Sequence, residues 1–173
     1  FPDTYEFYVK ENADSALSRL LANFQDRIVD DPDLAPLIAN SSYSLKEIVI
    51  MASLIEKETD GSDQRRISSV IYNRLTNTSA TNGLLNIDAT ILYATGGTVV
   101  DTSADTPYNT YRHAGLPPTA IANPGADALR AAVNPESTSY YYYALGDDGV
   151  HHFFKTHQEQ LSFIATQERY RNG

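Results

Sequence analysis

The chain has 173 residues, with 22 acidic side chains, 13 basic side chains and a formal net charge of −9. This length is typical of one domain with a substantial hydrophobic core. The negative charge disfavours nucleic acids and anionic membrane surfaces as partners, because both repel an acidic chain. Disulfides and zinc–thiolate sites are excluded, because the sequence contains no cysteine.

The N-terminal part of the chain is predicted to contain one helix. Residues 1–9 alternate aromatic and polar side chains, so we expect them to be extended. Asp14 is the predicted N-cap of the helix. Its apolar residues recur at helical spacing and form one stripe: Leu17, Leu20, Leu21, Phe24 and Ile28. Residues 30–40 contain two prolines and are predicted to be a connector.

A helix that is apolar almost all round is predicted over residues 45–60. Ser44 is its predicted N-cap, and Glu47 three residues later completes a capping box. Because apolar residues cover nearly every face, we expect this helix to be central and buried.

The central helix ends with two glutamates, Glu56 and Glu58, which a buried helix accommodates only if each finds a partner or water. One interpretation is a carboxyl group in an apolar wall, with a raised pKa, acting as a general acid. The other is a last turn that emerges into solvent or is neutralised by Arg65 and Arg66. Helical periodicity places Glu56 on the more buried stripe, and it does not decide which glutamate is catalytic.

Two shorter helices are predicted after the central one. Ser62 is the predicted N-cap of the first, which extends to about Leu75. Residues 76–83 are predicted to be a polar loop. Asp88 is the predicted N-cap of the second helix, which ends before Gly96.

Residues 98–123 show no clean periodicity, yet they are too apolar for a plain linker. Long irregular stretches in compact domains are usually functional, so we expect a loop that lines a cleft. Asn123 and Pro124 are typical of an N-cap and a first helical residue. The helix that they begin is expected to end near Val133.

The C-terminal part is predicted to form a β-hairpin and a last helix. The strands are residues 140–145 and 150–154, joined by a turn at D-D-G. Thr156 and Glu159 form a second capping box at the start of the last helix. The predicted fold class is therefore α+β, mainly helical around a buried central helix, with a small antiparallel hairpin.

Several motifs carry a resemblance through their order in the chain. They are E-K-E-T at 56–59, N-R-L at 73–75, D-A-T-I-L-Y-A-T-G at 88–96, Y-N-T-Y at 108–111, G-L-P-P-T-A-I-A-N-P-G at 115–125 and H-x-F-x-x-T-x-x-E at 151–159. In this order they resemble the YceG-like family, the endolytic murein transglycosylases. The resemblance covers nearly the whole chain, including its F-P-D-T-Y opening.

The resemblance implies an α+β catalytic domain over residues 1–173, with a core similar to that of lysozyme-like lytic enzymes. It also implies an N-terminal transmembrane anchor and a small LysM-like region, which we expect to precede Phe1 in a longer protein. The implied location is the cell membrane, with the catalytic domain outside the cytoplasm. The implied partners are peptidoglycan glycan strands and cell-wall synthases, and no cofactor is expected.

The resemblance assigns the catalytic role to Glu58, the second glutamate of E-K-E. The residues expected to bind or position substrate are Glu56, Asn73, Asn86, Asp88, Tyr108, Asn109, Tyr111 and His151. Asn86 stands where the family usually has a longer amide. A structural role is the alternative for Asp88 as an N-cap, and for Asn73 and the tyrosines as supports of the long loop. His151 and His152 do not predict a metal site, because adjacent strand residues point to opposite faces.

Three functions remain open at this point. A lytic transglycosylase needs one carboxyl group, Glu58, acting first as an acid and then as a base. A muramidase-type hydrolase needs a second carboxylate, for which Asp60, Asp63 and Asp88 are candidates. The third is a glycan-binding module without catalysis.

Overall fold

The structure is a computed structural model that describes residues 1–59 and 61–171. Its helices are α1 (Ala13–Phe24), α2 (Ala35–Ala39), α3 (Leu45–Glu58), α4 (Gln64–Thr76), α5 (Thr78–Thr81), α6 (Asp88–Thr95), α7 (Ala126–Val133) and α8 (His157–Ile164). Strands β1 (Tyr142–Leu145) and β2 (His151–Phe154) form an antiparallel sheet, which confirms the α+β prediction. A π-helical turn, Gln25–Val29, continues α1, and a 3-10 turn, Glu168–Tyr170, follows α8. Asp60, the predicted last residue of the central helix and a candidate hydrolase aspartate, lies outside the described residues.

The central helix α3 is buried, as predicted. From Ile48 to Ile55 every side chain except that of Val49 is buried, and α4 and α7 pack against it. The capping box is confirmed: Ser44 Oγ accepts the N–H of Glu47 at 3.3 Å, and Glu47 Oε2 accepts the N–H of Ser44 at 2.8 Å. Among the described helices, none is long and apolar enough to cross a membrane.

The N-terminal segment differs from the prediction in its cap and in its burial. Asn12, not Asp14, caps α1, because its Oδ1 accepts a first-turn N–H at 2.7 Å while Asp14 already lies inside the helix. Leu17 and Leu21 of the predicted apolar stripe are 55% and 60% exposed, so the stripe is buried only towards its C-terminal end. The predicted connector contains the short helix α2, and the predicted polar loop contains the single turn α5.

Three other helix starts lie one or two residues away from their predicted positions. α4 begins after Asp63 rather than Ser62, α6 begins at Asp88 rather than after it, and α7 begins after Gly125 rather than Asn123. None of these starts has a side-chain cap among its described contacts. Both aspartates instead bind side chains from other segments, which local sequence does not reveal.

The long irregular stretch is packed against α3. Residues 97–125, all of which the structure describes, contain no helix or strand. Asn109 is fully buried and holds the stretch together, since its Nδ2 donates to two loop carbonyls at 3.0 and 2.8 Å. Ser53 of α3 ties the stretch to the core by accepting the N–H of Ile121 at 3.0 Å.

The hairpin lies over the C-terminal end of α3. Tyr143 of β1 is paired with Phe153 of β2, and α8 packs against both strands. β1 begins two residues later than predicted, and β2 one residue later. The predicted capping box of the last helix, Thr156 with Glu159, is confirmed.

We expect Ser53→Ala to lower the free energy of unfolding by about 1–3 kcal/mol, because the Ile121 N–H would then be buried without its acceptor. Urea unfolding measures this change. Ser162→Ala, on the exposed face of α8, is the matched control and should change it by less than about 0.5 kcal/mol. Equal small effects of the two changes would show that Ser53 does not hold the loop.

Candidate active site

Glu58 closes α3 under the hairpin and is more buried than Glu56. Glu58 is partly buried, whereas Glu56 is exposed and accepts the N–H of Gly125 at 3.1 Å, at the start of α7. The prediction that Glu56 is the more buried of the pair is wrong, because the hairpin covers the last turn of α3 on the side of Glu58.

Arg65 and Arg66 do not neutralise the two glutamates in the way the alternative interpretation required. Arg65 donates to the backbone oxygen of Asn134 at 2.8 Å, and Arg66 pairs with Glu136 at 2.9 Å. Both arginines therefore bind the segment that follows α7. Neither arginine therefore sets the charge state of Glu58, which depends on the groups that contact it directly.

The pKa of Glu58 is raised above that of an ordinary glutamate, and burial is the main cause. The Tyr143 hydroxyl donates to Glu58 Oε2 at 2.6 Å and lowers that pKa in part. The charge of Asp88 raises it further, and His151 lowers it. Because burial outweighs the opposing contacts, Glu58 keeps its proton to a higher pH than an exposed glutamate.

Three cavities meet at Glu58. The main cleft, about 730 Å³, extends from Glu58 between Tyr111 and the hairpin. A second cavity, about 460 Å³, continues past Thr59 and Asp63. A third, which we call the Tyr93 cavity, has a volume of about 440 Å³ and lies along α6. Glu58 therefore borders all three cavities, which together form the groove around it.

Asp88 and Tyr111 form one wall of the main cleft. The Tyr111 hydroxyl donates to Asp88 Oδ1 at 2.5 Å. Burial, followed by this hydrogen bond, raises the pKa of Tyr111 well above its usual range, so the hydroxyl stays protonated. The N-cap alternative for Asp88 is wrong, because Asp88 is the first helical residue and its carboxylate binds Tyr111.

His151 lines the main cleft and, together with Asp63, the second cavity. The Nδ1 of His151 lies 2.6 Å from Asp63 Oδ2, and the other oxygen of Asp63 accepts the hydroxyl proton of Thr59. The ring of His151 also meets the edge of Tyr143, with 5.6 Å between centroids. These contacts fix the imidazole beside Glu58 and leave Asp63 with a partner on each oxygen.

Arg74 was not among the predicted site residues, yet it joins the segment before β1 to residues 85–86 on the wall of the main cleft. It is only 6% exposed and donates to the carbonyls of Tyr141 and Leu85, both at 2.6 Å, and to Asn86 Oδ1 at 2.9 Å. Its guanidinium lies 5.0 Å from the centroid of Tyr142. One sequence signal was available, because Arg74 continues the apolar stripe of α4.

Asn86 and Tyr143 complete the cleft. Asn86 adopts a left-handed conformation with φ of 53° and binds Arg74, so its amide is part of the wall. Tyr143 was not predicted, because nothing in the run of tyrosines at 140–143 marks one of them as the donor to Glu58.

Four predicted substrate-binding residues lie outside the three cavities and make structural contacts. Glu56 binds the start of α7. Asn73 Nδ2 donates to the carbonyls of Thr138 and Tyr140, at 3.1 and 2.8 Å. Tyr108 shares a hydrogen bond of 2.7 Å with a loop threonine, and Asn109 holds the long loop. The other four predicted residues do line the groove: Asn86, Asp88, Tyr111 and His151.

Within the described residues, no cluster of three or more His, Asp or Glu side chains fits a metal ion.

We expect Glu58→Gln to stabilise the fold increasingly as the pH rises. Since the pKa of Glu58 is raised in the folded chain, stability from its proton is complete below the ordinary value of 4.5 and is lost as the pH rises through the folded-state value. Glutamine avoids this loss and still accepts from Tyr143. Melting temperatures between about pH 4 and pH 8 test this, with Glu56→Gln as the control. An advantage that does not change with pH would contradict the burial argument.

The chain is similar in sequence to known bacterial proteins. The model described as the YceG-like family matches residues 1–166. The endolytic murein transglycosylase of Bacillus subtilis (strain 168) is 33% identical over 165 residues, which cover 92% of this chain and 44% of that protein. The endolytic murein transglycosylase of Streptococcus pneumoniae (serotype 2, strain D39) is 28% identical over 180 residues, covering 95% and 31%. The chain thus spans less than half the length of these relatives.

A solved structure has the same fold. The crystal structure of a yceG-like protein from Listeria monocytogenes superposes with a TM-score of 0.80 and 31% identity, covering 94% of this chain and 53% of that one. Since the family model also matches nearly the whole sequence, the chain belongs to the YceG-like family.

Proposed function

We propose that the chain is the catalytic part of an endolytic peptidoglycan lytic transglycosylase. Its named relatives are endolytic murein transglycosylases, and they are longer proteins than this chain. The observation that carries the proposal is Glu58, a carboxyl group at the junction of three cavities whose pKa is raised by burial.

In the first step, protonated Glu58 gives its proton to the glycosidic oxygen between N-acetylmuramic acid and N-acetylglucosamine. The bond from the anomeric carbon to that oxygen breaks, and the N-acetylglucosamine end leaves as an alcohol. A raised pKa is required of an acid at near-neutral pH, and burial provides it. Because the Tyr143 hydroxyl donates to Oε2, we assign the transfer of the proton to Oε1.

In the second step, the Glu58 carboxylate takes the proton from the C6 hydroxyl of the same muramic residue. The C6 oxygen bonds to the anomeric carbon and closes a 1,6-anhydro ring, and Glu58 regains its proton. Tyr143 favours the carboxylate formed between the steps, because its O–H donates to it. Water takes no part, so one carboxyl group is sufficient.

The hydrolase alternative requires a second carboxylate opposite Glu58. Asp63 is disfavoured, because His151 and Thr59 occupy its two oxygens. Asp88 is the stronger candidate, since it lines two of the same cavities and its charge acts on Glu58. The two reactions differ in their products, which makes them separable.

We further propose that residues 1–173 act as a single catalytic domain, with residues 98–123 as one side of the groove. Tyr111 and Ile121 of this stretch line the main cleft and the Tyr93 cavity. In the full-length protein, a membrane anchor and a LysM-like region would belong to the additional length that the relatives have. The domain would then work outside the cytoplasm on nascent strands, close to cell-wall synthases.

Mass spectrometry of the products from uncrosslinked glycan strands tests the reaction. We expect 1,6-anhydro ends from the native chain and at least a 100-fold loss, roughly, with Glu58→Gln, because acid–base catalysis is removed. Glu56→Gln is the matched control and should keep its activity, since its amide oxygen still accepts the Gly125 N–H.

The other product patterns each contradict part of the proposal. Reducing ends would indicate hydrolysis and make Asp88→Asn the next variant. Loss of activity with Glu56→Gln alone would mean that the wrong glutamate has been assigned. Glycan binding without cleavage would favour the non-catalytic module.

We expect Tyr143→Phe to move the alkaline limb of the pH–rate profile to higher pH. The Tyr143 hydrogen bond lowers the pKa of Glu58, so its removal raises that pKa and extends the pH range of the acid form. The profile of kcat/KM reports this directly. Tyr141→Phe, whose hydroxyl accepts from Asn77 instead, is the control and should leave the profile in place. An unshifted limb in Tyr143→Phe would separate Tyr143 from the titration of Glu58.

A further inference from the structure

The Tyr93 cavity opens from Glu58 along α6 and is mostly apolar. Ala89, Leu92 and Tyr93 occupy one face of α6, and Ile121 of the long loop lies opposite. Its charged side chains, Lys57, Glu58 and Asp88, also line the main cleft. The cavity therefore has an apolar floor and a polar edge on the side of the reacting group.

Tyr93 presents its ring to this cavity in a fixed position. Tyr93 lies on α6 and is 50% exposed, which is a high value for a large aromatic residue. The ring of Tyr108 supports it, with 5.3 Å between centroids and 54° between planes. Tyr108 is itself held by a hydrogen bond of 2.7 Å to Thr119. An exposed aromatic ring that is already ordered loses little entropy when a ligand packs on it.

The shape and chemistry of the cavity suit a neutral, N-acetylated sugar. A pyranose has an apolar C–H face and a polar rim of hydroxyl and amide groups. The tyrosine ring matches the C–H face, and the walls of Leu92 and Ile121 match an acetyl methyl. At the rim, the Asp88 carboxylate can accept hydrogen bonds and the Lys57 ammonium can donate them. Their opposite charges balance while Glu58 is protonated, so the rim favours a neutral ligand.

We propose that Tyr93 is the stacking platform of a saccharide subsite that adjoins the cleavage position and holds one N-acetylated sugar of the glycan strand. This inference rests on the proposed function, because it places the sugar next to a bond cut at Glu58. The continuity of the Tyr93 cavity with the main cleft at Lys57, Glu58 and Asp88 carries it.

Isothermal titration with uncrosslinked glycan strands tests the platform in the Glu58→Gln chain, which binds substrate without cutting it. We expect Tyr93→Ala to weaken binding by about fivefold or more, through loss of the stacked ring. Tyr93→Phe keeps the ring and should bind within about twofold of its parent. Tyr93→Leu keeps apolar volume against Tyr108 without a flat face, and should weaken binding as alanine does.

Tyr8→Ala is the matched control, because Tyr8 is also an exposed tyrosine, at 79%, but lies over Arg19 in the N-terminal segment. It should leave affinity unchanged. In the active chain, Tyr93→Ala should raise KM with kcat near the native value, as expected for a residue that binds ground and transition states equally.

The outcomes separate the subsite from the reaction. Native affinity in Tyr93→Ala or Tyr93→Leu overturns the platform and leaves the proposed function intact. A fall in kcat without a change in KM also overturns it. Continued cleavage by Glu58→Gln, or no glycan binding by it, overturns the proposed function itself.

Discussion

The site depends on one constraint: a carboxyl group at the end of a buried helix is costly to ionise. Charged groups lose much of their hydration when apolar side chains surround them, so the proton is retained. α3 creates this situation because it is buried from Ile50 to Ile55 and ends under the hairpin, three residues later, at Glu58. The same packing that stabilises the core therefore supplies an acid, and the surrounding groups adjust how strong that acid is.

Two tyrosines beside Glu58 keep their hydroxyl protons near neutral pH. Burial raises the pKa of both Tyr111 and Tyr143, which keeps their hydroxyls protonated and available as donors to carboxylates. Arg74 supplies a permanent positive charge nearby, and its acceptors are neutral carbonyls and the Asn86 amide. Hydrogen bonds from a charged group to such acceptors are strong enough to hold β1 and the segment before α6 in place. Tyr111 and Tyr143 therefore keep their protons at the pH at which Glu58 titrates.

The parts of the fold that could be predicted are those governed by local patterns. The sequence of α3 contains its own cap and its own apolar surface, and the hairpin and α8 are likewise marked by nearby residues. The start of α6 was misplaced because Asp88, its predicted cap, binds a side chain 23 residues away instead of the helix end. The start of α4 was misplaced by one residue, since Asp63 rather than Ser62 precedes it, and Asp63 binds a side chain 88 residues away.

The residues of the candidate site, Glu58 above all, could be predicted only through the resemblance to the family. Periodicity favoured Glu56 over Glu58, because it measures position around a helix and cannot register which side of the last turn another segment covers. Arg74 could not be predicted as a site residue because its contacts are also made by distant segments. A buried arginine satisfied by distant backbone carbonyls leaves no complementary acidic residue in the sequence. Asn73 and Asn109 were assigned to substrate, yet asparagine amides serve equally well to hold loops, and both do so here.

The arrangement of cavities bears on where along a strand this type of site can act. An enzyme that removes units from a chain end benefits from a groove closed on one side of the acid, since the closed side positions the end. Here the main cleft and the Tyr93 cavity both open at Glu58, and each has room for at least one sugar ring. If sugars of one strand occupy both cavities, the reacting bond lies within the strand and no free chain end is needed. The net charge of −9 places no penalty on a neutral glycan backbone, so recognition would come from ring faces and hydrogen bonds. Tyrosine suits both tasks, because it offers an apolar face and a polar tip in one rigid side chain.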